Sequence, residues 1–176
     1  LGSILSFYYS TKSLTTFENW YYELKIMNYL VIGYGNTLRN DDGAGQIVAD
    51  RIATRNLPNV RSLAVHQLTP ELAEDIANAD IVIFVDAVIS TQQNSEQIEI
   101  KTLESNRQYV NSGHSENPRS LLYLAKFLYN KSPLAYWILI PAINFDFGEN
   151  ISLITEKAIE RSLEKIDRII ISQTSV

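Results

Sequence analysis

Short apolar runs alternate along the chain with stretches of helical periodicity. Residues 28–34 (NYLVIGY) are apolar around Val31 and Ile32 and end in Gly33 and Gly35, which predicts a buried strand. A polar turn, GNTLRNDDG, follows, and Ala44, Ile47, Val48 and Ile52 then recur at helical spacing, with Asn40 or Asp41 available as N-cap and a stop near Asn56-Leu57-Pro58. Residues 60–66 (VRSLAVH) predict a second strand. Thr69-Pro70-Glu71 opens a second helix, with Thr69 as cap, Pro70 in the first position and an apolar face of Leu72, Ala73, Ile76 and Ala77. Residues 80–86 (DIVIFVD), five apolar residues between two aspartates, are the strongest buried-strand signal, whereas 97–103 (QIEIKTL) alternate as an edge strand does. After a polar loop from Glu104 to Glu116, Asn117-Pro118 repeats the cap-then-proline signal before a helix built on Leu121, Leu122, Leu124, Ala125 and Leu128. Residues 135–141 (AYWILIP) predict another buried strand. A last helix carries Ile159, Leu163, Ile166 and Ile170 on one stripe, and the tail ISQTSV is expected to fray.

The order β-α-β-α-β-β-α-β-α predicts an α/β fold: a three-layer α/β/α domain with a mostly parallel, about five-stranded sheet. Composition adds a boundary. The first 26 residues hold seven of the 18 aromatic side chains and four charges that cancel, so the net charge of −5 belongs to residues 27–176. The only methionine is Met27. We therefore expect residues 27–176 to form the domain, residues 1–26 to be a non-domain N-terminal extension, and Met27 to be the true start. The competing expectation is an aromatic extension that packs on the domain as a helix through Trp20, Tyr21 and Leu24.

Other features exclude function classes. With no cysteine there is no disulfide framework, thiolate metal site or cysteine nucleophile. The acidic balance opposes nucleic-acid binding by phosphate neutralisation. No run of about 18 apolar residues exists to span a membrane, and residues 1–26 lack the basic start and small-residue cleavage site of a signal peptide. The expectation is a cytoplasmic domain.

Ligands of such folds bind beyond the carboxyl ends of the strands. Asp41 and Asp42 follow the first predicted strand, His66 ends the second, Asp86 ends the third, and His114 precedes the third helix. In GYGNTLRNDDG, Gly33, Gly35 and Asn36 suit a tight turn, but Leu38 stands where a dinucleotide fingerprint needs glycine, and no Lys-Ser/Thr pair makes a phosphate loop, so no nucleotide is expected. Asp41 reads as a helix cap. Asp42 is more than a cap requires, and site and structural roles both stay open for it. His66 reads locally as a core histidine, His114 as a loop or surface histidine, and Asp86 as a brace. One carboxylate and two imidazoles at one edge would suit a borderline divalent metal such as nickel or zinc, provided the fold brings positions 42, 66 and 114 together.

Through these residues the sequence resembles the [NiFe]-hydrogenase maturation proteases, endopeptidases that trim the C-terminal extension of a hydrogenase large subunit. The resemblance runs through LVIGYGNTLRNDDGAGQIVADRI (30–52), HQLTPELAEDIANADIVIFVDAV (66–88), and His114 onward through LLYLAKFLYNKSPLAYWILIPAINFDFGENIS (121–152), covering roughly residues 28–170. It is nearest to the group serving bidirectional, NAD-linked hydrogenases of the cyanobacterial type. The resemblance implies three metal-contacting positions: Asp42, where glutamate is more usual; His66, standing for the acid of an Asp-Gly-Gly-Thr stretch, with Glu71 in reserve; and His114. Asp42 and His114 are the implied catalytic residues, with Gly33, Gly35, Asn36, Asp41 and Asp86 as structural loop residues. It further implies aspartic-type endopeptidase activity, nickel supplied by the precursor as recognition element, the large-subunit precursor as partner, and a monomer. A peptidyl-tRNA hydrolase also opens with a strand and Gly-x-Gly-Asn, but its later motifs are missing here and the charge opposes tRNA. A nickel-sensing adaptor that binds the precursor without cutting it is the non-enzyme alternative.

Overall fold

The computed structural model describes residues 26–90, 96–105 and 117–174. Among these residues five strands form one sheet: β1 (Tyr29–Tyr34), β2 (Val60–Val65), β3 (Ile81–Ile89), β4 (Glu99–Leu103) and β5 (Leu134–Ala142). Four helices accompany them: α1 (Ala44–Thr54), α2 (Leu72–Ala77), α3 (Pro118–Tyr129) and α4 (Leu153–Thr174). The strand order is β2-β1-β3-β5-β4, parallel throughout except for the antiparallel pairing of β4 with β5. The mixed, mostly parallel five-stranded architecture matches the expectation.

Alternation along the strands sorts the core into two layers. Tyr29, Val31, Ile81, Ile83, Val85, Ile138 and Ile140 face α1 and α4, meeting Val48, Ile52, Ile159, Leu163 and Ile166. Leu30, Ile32, Val82, Phe84 and Ala135 face α2 and α3, meeting Leu72, Ile76, Leu121, Leu122 and Ala125. The central strands β1 and β3 are covered on both faces, which is why they read as unbroken apolar runs. Edge strand β4 is covered only in part: Ile98 and Ile100 pack against the α1/α4 layer, Leu103 on the opposite face is buried in the α2/α3 layer, and Glu99 and Thr102 are exposed.

Local signals account for several ends. Asn117 caps α3, accepting from Arg119 N at 3.0 Å, with Pro118 opening the helix and Asn130 closing it in the left-handed conformation. Other ends differ from expectation. Neither Asn40 nor Asp41 caps α1, whose first turn has no side-chain cap. Helix α2 begins at Leu72 without a Thr69 cap; Leu72 N and Ala73 N instead donate to the carbonyls of Thr69 and Pro70 in a tight entry turn. Strand β3 continues past Asp86 to Ile89 because β5 pairs with it along its whole length. Helix α4 runs to Thr174, so residues 171–174 are helical rather than frayed. Met27 packs at the border of the α1/α4 layer, while residues 1–25 and the expectations placed on them lie outside the described residues. Among the described residues no helix is long and apolar enough to cross a membrane.

Candidate functional site

The strand order reverses between β1 and β3, the switch point where ligands of open α/β sheets bind. Here α1 starts unusually close to the sheet. A Cβ on Gly33 would lie 1.8 Å from Gly45 O, and one on Gly45 would lie 2.4 Å from Tyr34 O and 2.5 Å from Val85 O. Two glycines thus let the helix start rest directly on the ends of β1 and β3. Gly35, at φ +134°, turns the chain into the loop, and its carbonyl accepts from Gln46 Nε2.

The 3-10 turn Asn40–Gly43 that follows is held by a loop about a hundred residues later. Asn40 N donates to Gly148 O (2.8 Å), Asn40 Nδ2 to Asp146 O (3.0 Å), and Asn150 N donates to Asn40 Oδ1 (2.9 Å). Asp41 is fully buried. Its Oδ1 accepts from Ser152 N (2.7 Å), and its Oδ2 accepts from Ile143 N (2.9 Å), Asn144 N (3.0 Å) and Ser152 Oγ (2.9 Å). Burial pushes its carboxyl up, but the bonds from Ser152 and the Ile143 and Asn144 amides together outweigh that and hold it below the ordinary aspartate value. Asp41 is therefore a tertiary brace between two loops, which corrects the reading of it as a helix cap.

Asp42 faces the other way. It lines a cavity of about 370 Å³ together with Tyr34, Gly35, Asn36, Arg39, His66, Gln67, Leu68 and Asp86. Asn36 N donates to Asp42 Oδ2 at 3.0 Å, which fixes the carboxylate. His66 follows the last residue of β2 and is exposed on the cavity wall; the expectation of a core histidine is corrected. The core position falls instead to Leu68, two residues on. Asp86 lies within β3, paired in register with Leu139, rather than beyond the strand end, and it lines the same cavity.

The structure thus brings Asp42, His66 and Asp86 to one cavity. Glu71 does not line it. The Glu71 carboxylate is exposed at the entry to α2, where its own backbone amide and the Thr69 hydroxyl hold it below the ordinary glutamate value. His114 lies outside the described residues. Among the described residues no group of three or more His, Asp or Glu is close enough to hold a metal ion. Two further hollows open near the amino ends of the strands. One, of about 310 Å³, is lined partly by Arg61 and Asp75, which pair with each other, and neither hollow contains a histidine. Sequence reasoning passed over Arg39, a cation on the cavity wall. Its signal was a lone charge between the GN turn and the NDD run.

The open α/β fold is shared with several solved proteins. The [NiFe] hydrogenase maturation protease HybD from Thermococcus kodakarensis is similar over 82% of this chain and 99% of its own, at 20% identity and a TM-score of 0.66. The hydrogenase maturating endopeptidase HybD from E. coli is similar over 83% of this chain and 93% of its own, at 21% identity and a TM-score of 0.68. The maturation protease HycI from Thermococcus kodakarensis KOD1 is similar over 82% and 92%, at 23% identity and a TM-score of 0.63. These likenesses show a shared fold. No protein-family model and no curated protein matches the chain.

Proposed function

We propose that this chain is an endopeptidase that removes the C-terminal extension of a nickel-loaded [NiFe]-hydrogenase large-subunit precursor. The observation that carries the reading is the placement of Asp42 and His66 on one cavity at the switch point, in a fold shared with hydrogenase maturation proteases. Asp42 and His66 are the residues that meet the precursor's nickel, with His114 as the third ligand and a second catalytic residue. Nickel arrives as part of the substrate and marks the peptide that follows it. Without a cysteine, the attacking group is water. The Asp42 carboxylate, anchored through one oxygen by Asn36 N, accepts its proton. The protein acts in the cytoplasm as a monomer. Its likeness to the group serving bidirectional hydrogenases rests on the sequence signature alone.

A processing assay tests this. Purified precursor, nickel-loaded or nickel-free, is incubated with the protein and its mass measured. Loss of the C-terminal extension from the loaded form alone is expected. Equal cleavage of both forms would remove nickel recognition, and an intact precursor in both would leave the adaptor reading instead.

A further inference from the structure

Among the described residues that line the cavity, Arg39 is the one Lys or Arg, and no role has yet been given to it. Asp42 N donates to Arg39 O (3.1 Å), closing a single turn that buries Asn40 and Asp41 and leaves Arg39 and Asp42 on the cavity. Arg39 Nε donates to Phe145 O at 3.1 Å, which fixes one edge of the guanidinium and leaves both terminal nitrogens as donors. Arg51, Arg55, Arg61 and Arg161 all sit in ion pairs. Arg39 pairs with no carboxylate among the described residues, although Asp42 and Asp86 share its cavity. A guanidinium anchored through one nitrogen, on the same cavity as the Asp42 carboxylate but not paired with it, has terminal N–H groups able to receive negative charge that develops on an oxygen bound in that cavity.

We propose that Arg39 is a catalytic residue that binds the carbonyl oxygen of the scissile peptide and stabilises the oxyanion. The proposal rests on the endopeptidase reading above. Water attacks the carbonyl carbon as its proton passes to Asp42. The C=O π pair moves onto oxygen, where the Arg39 terminal N–H groups hold the charge. The C=O bond then re-forms, the C–N bond breaks, and the amine leaves with the proton returned from Asp42.

The test is steady-state processing of excess nickel-loaded precursor by the full-length wild type, Arg39→Ala and Arg39→Lys, with urea midpoints measured for each. Arg39→Ala is expected to lower kcat by about 10²–10³-fold with KM changed less than about threefold. Arg39→Lys should recover part of the rate, since the charge returns without the fork. Added guanidinium at millimolar level should raise the Arg39→Ala rate, which a merely structural role would not produce. A kcat within about threefold of wild type, or a loss confined to KM, overturns the proposal and leaves the endopeptidase reading standing. A wild type that does not cut the precursor overturns both.

Discussion

Replacing Asp41 by asparagine changes one buried carboxylate oxygen into a donor-only amide NH2 with nearly the same shape. The most favourable orientation keeps the carbonyl oxygen facing Ile143 N, Asn144 N and Ser152 Oγ and turns the NH2 toward Ser152 N, 2.7 Å away in the native protein. Two donors then face each other, and a buried amide loses its acceptor. A stranded buried donor costs about 1–3 kcal/mol, and the bonds that remain lose their charge assistance. We expect a loss of about 3 kcal/mol, against a total stability of about 5–15 kcal/mol for a domain. With a urea slope of about 2 kcal/mol/M, the midpoint falls by about 1.5 M. The pH dependence follows from the same geometry. The folded carboxyl titrates below its ordinary value of 3.8, so its contribution is complete above that value and is lost as pH falls through the lower folded one. Protonated Asp41 presents the same donor problem as asparagine. The stability gap between wild type and Asp41→Asn should therefore be constant from about pH 7 to 5 and narrow as pH falls below 3.8. Urea titrations at four pH values read both effects. A gap under about 1 kcal/mol at pH 7, or one that persists undiminished at pH 3, would refute the brace.

Asp42→Ala and His114→Ala should abolish precursor processing, and Asp42→Ala should move the urea midpoint little, since the half-buried carboxylate carries only the Asn36 hydrogen bond among the described residues; full processing by either variant removes that residue from the site. Gly33→Ala places a methyl 1.8 Å from Gly45 O, backbone against backbone, so α1 must lift off the sheet; we expect a loss of more than about 4 kcal/mol, seen as a collapsed thermal transition, and a native-like transition would contradict the close approach. Asn117→Ala removes the α3 cap and should cost about 1 kcal/mol, with Asn117→Asp retaining most of the stability; equal midpoints for wild type and Asn117→Ala would show that the cap contributes nothing.

Burial on both faces made β1, β3 and β5 legible, because strands covered by helices on each side need apolar residues at every position. Asn117-Pro118 worked for a local reason: the cap and the helix it serves are neighbours in sequence. The Asn40-Asp41-Asp42 run was only half legible. Its position at a strand end marked it as a site, but nothing local says which carboxylate turns inward. That choice is made by Ser152 and the amides of Ile143 and Asn144, whose donors converge on Asp41, whereas Asp42 receives one from Asn36 N. His66 was misread as core for a similar reason: the residue that plugs the α2/α3 layer is Leu68, and the loop between them turns the imidazole out. Asp86 was read as a brace at a strand end, but β3 runs on to Ile89, because its length is set by its pairing with β5 rather than by its own composition.

The stitching of the Asn40–Gly43 turn to residues 143–152 also bears on when the cavity comes into being. Asp41 and Ser152 are 111 positions apart, and contacts of such separation form late because a long loop must close first. During synthesis β1, α1, β2 and β3 can emerge and pair while the turn that carries Arg39 and Asp42 still lacks its anchor. That turn is fixed only once β5 has paired and the start of α4 has arrived. Assembly of the cavity is thus coupled to near-completion of the fold, so a partly made chain has the strands that aim the site but not the loop that sets it.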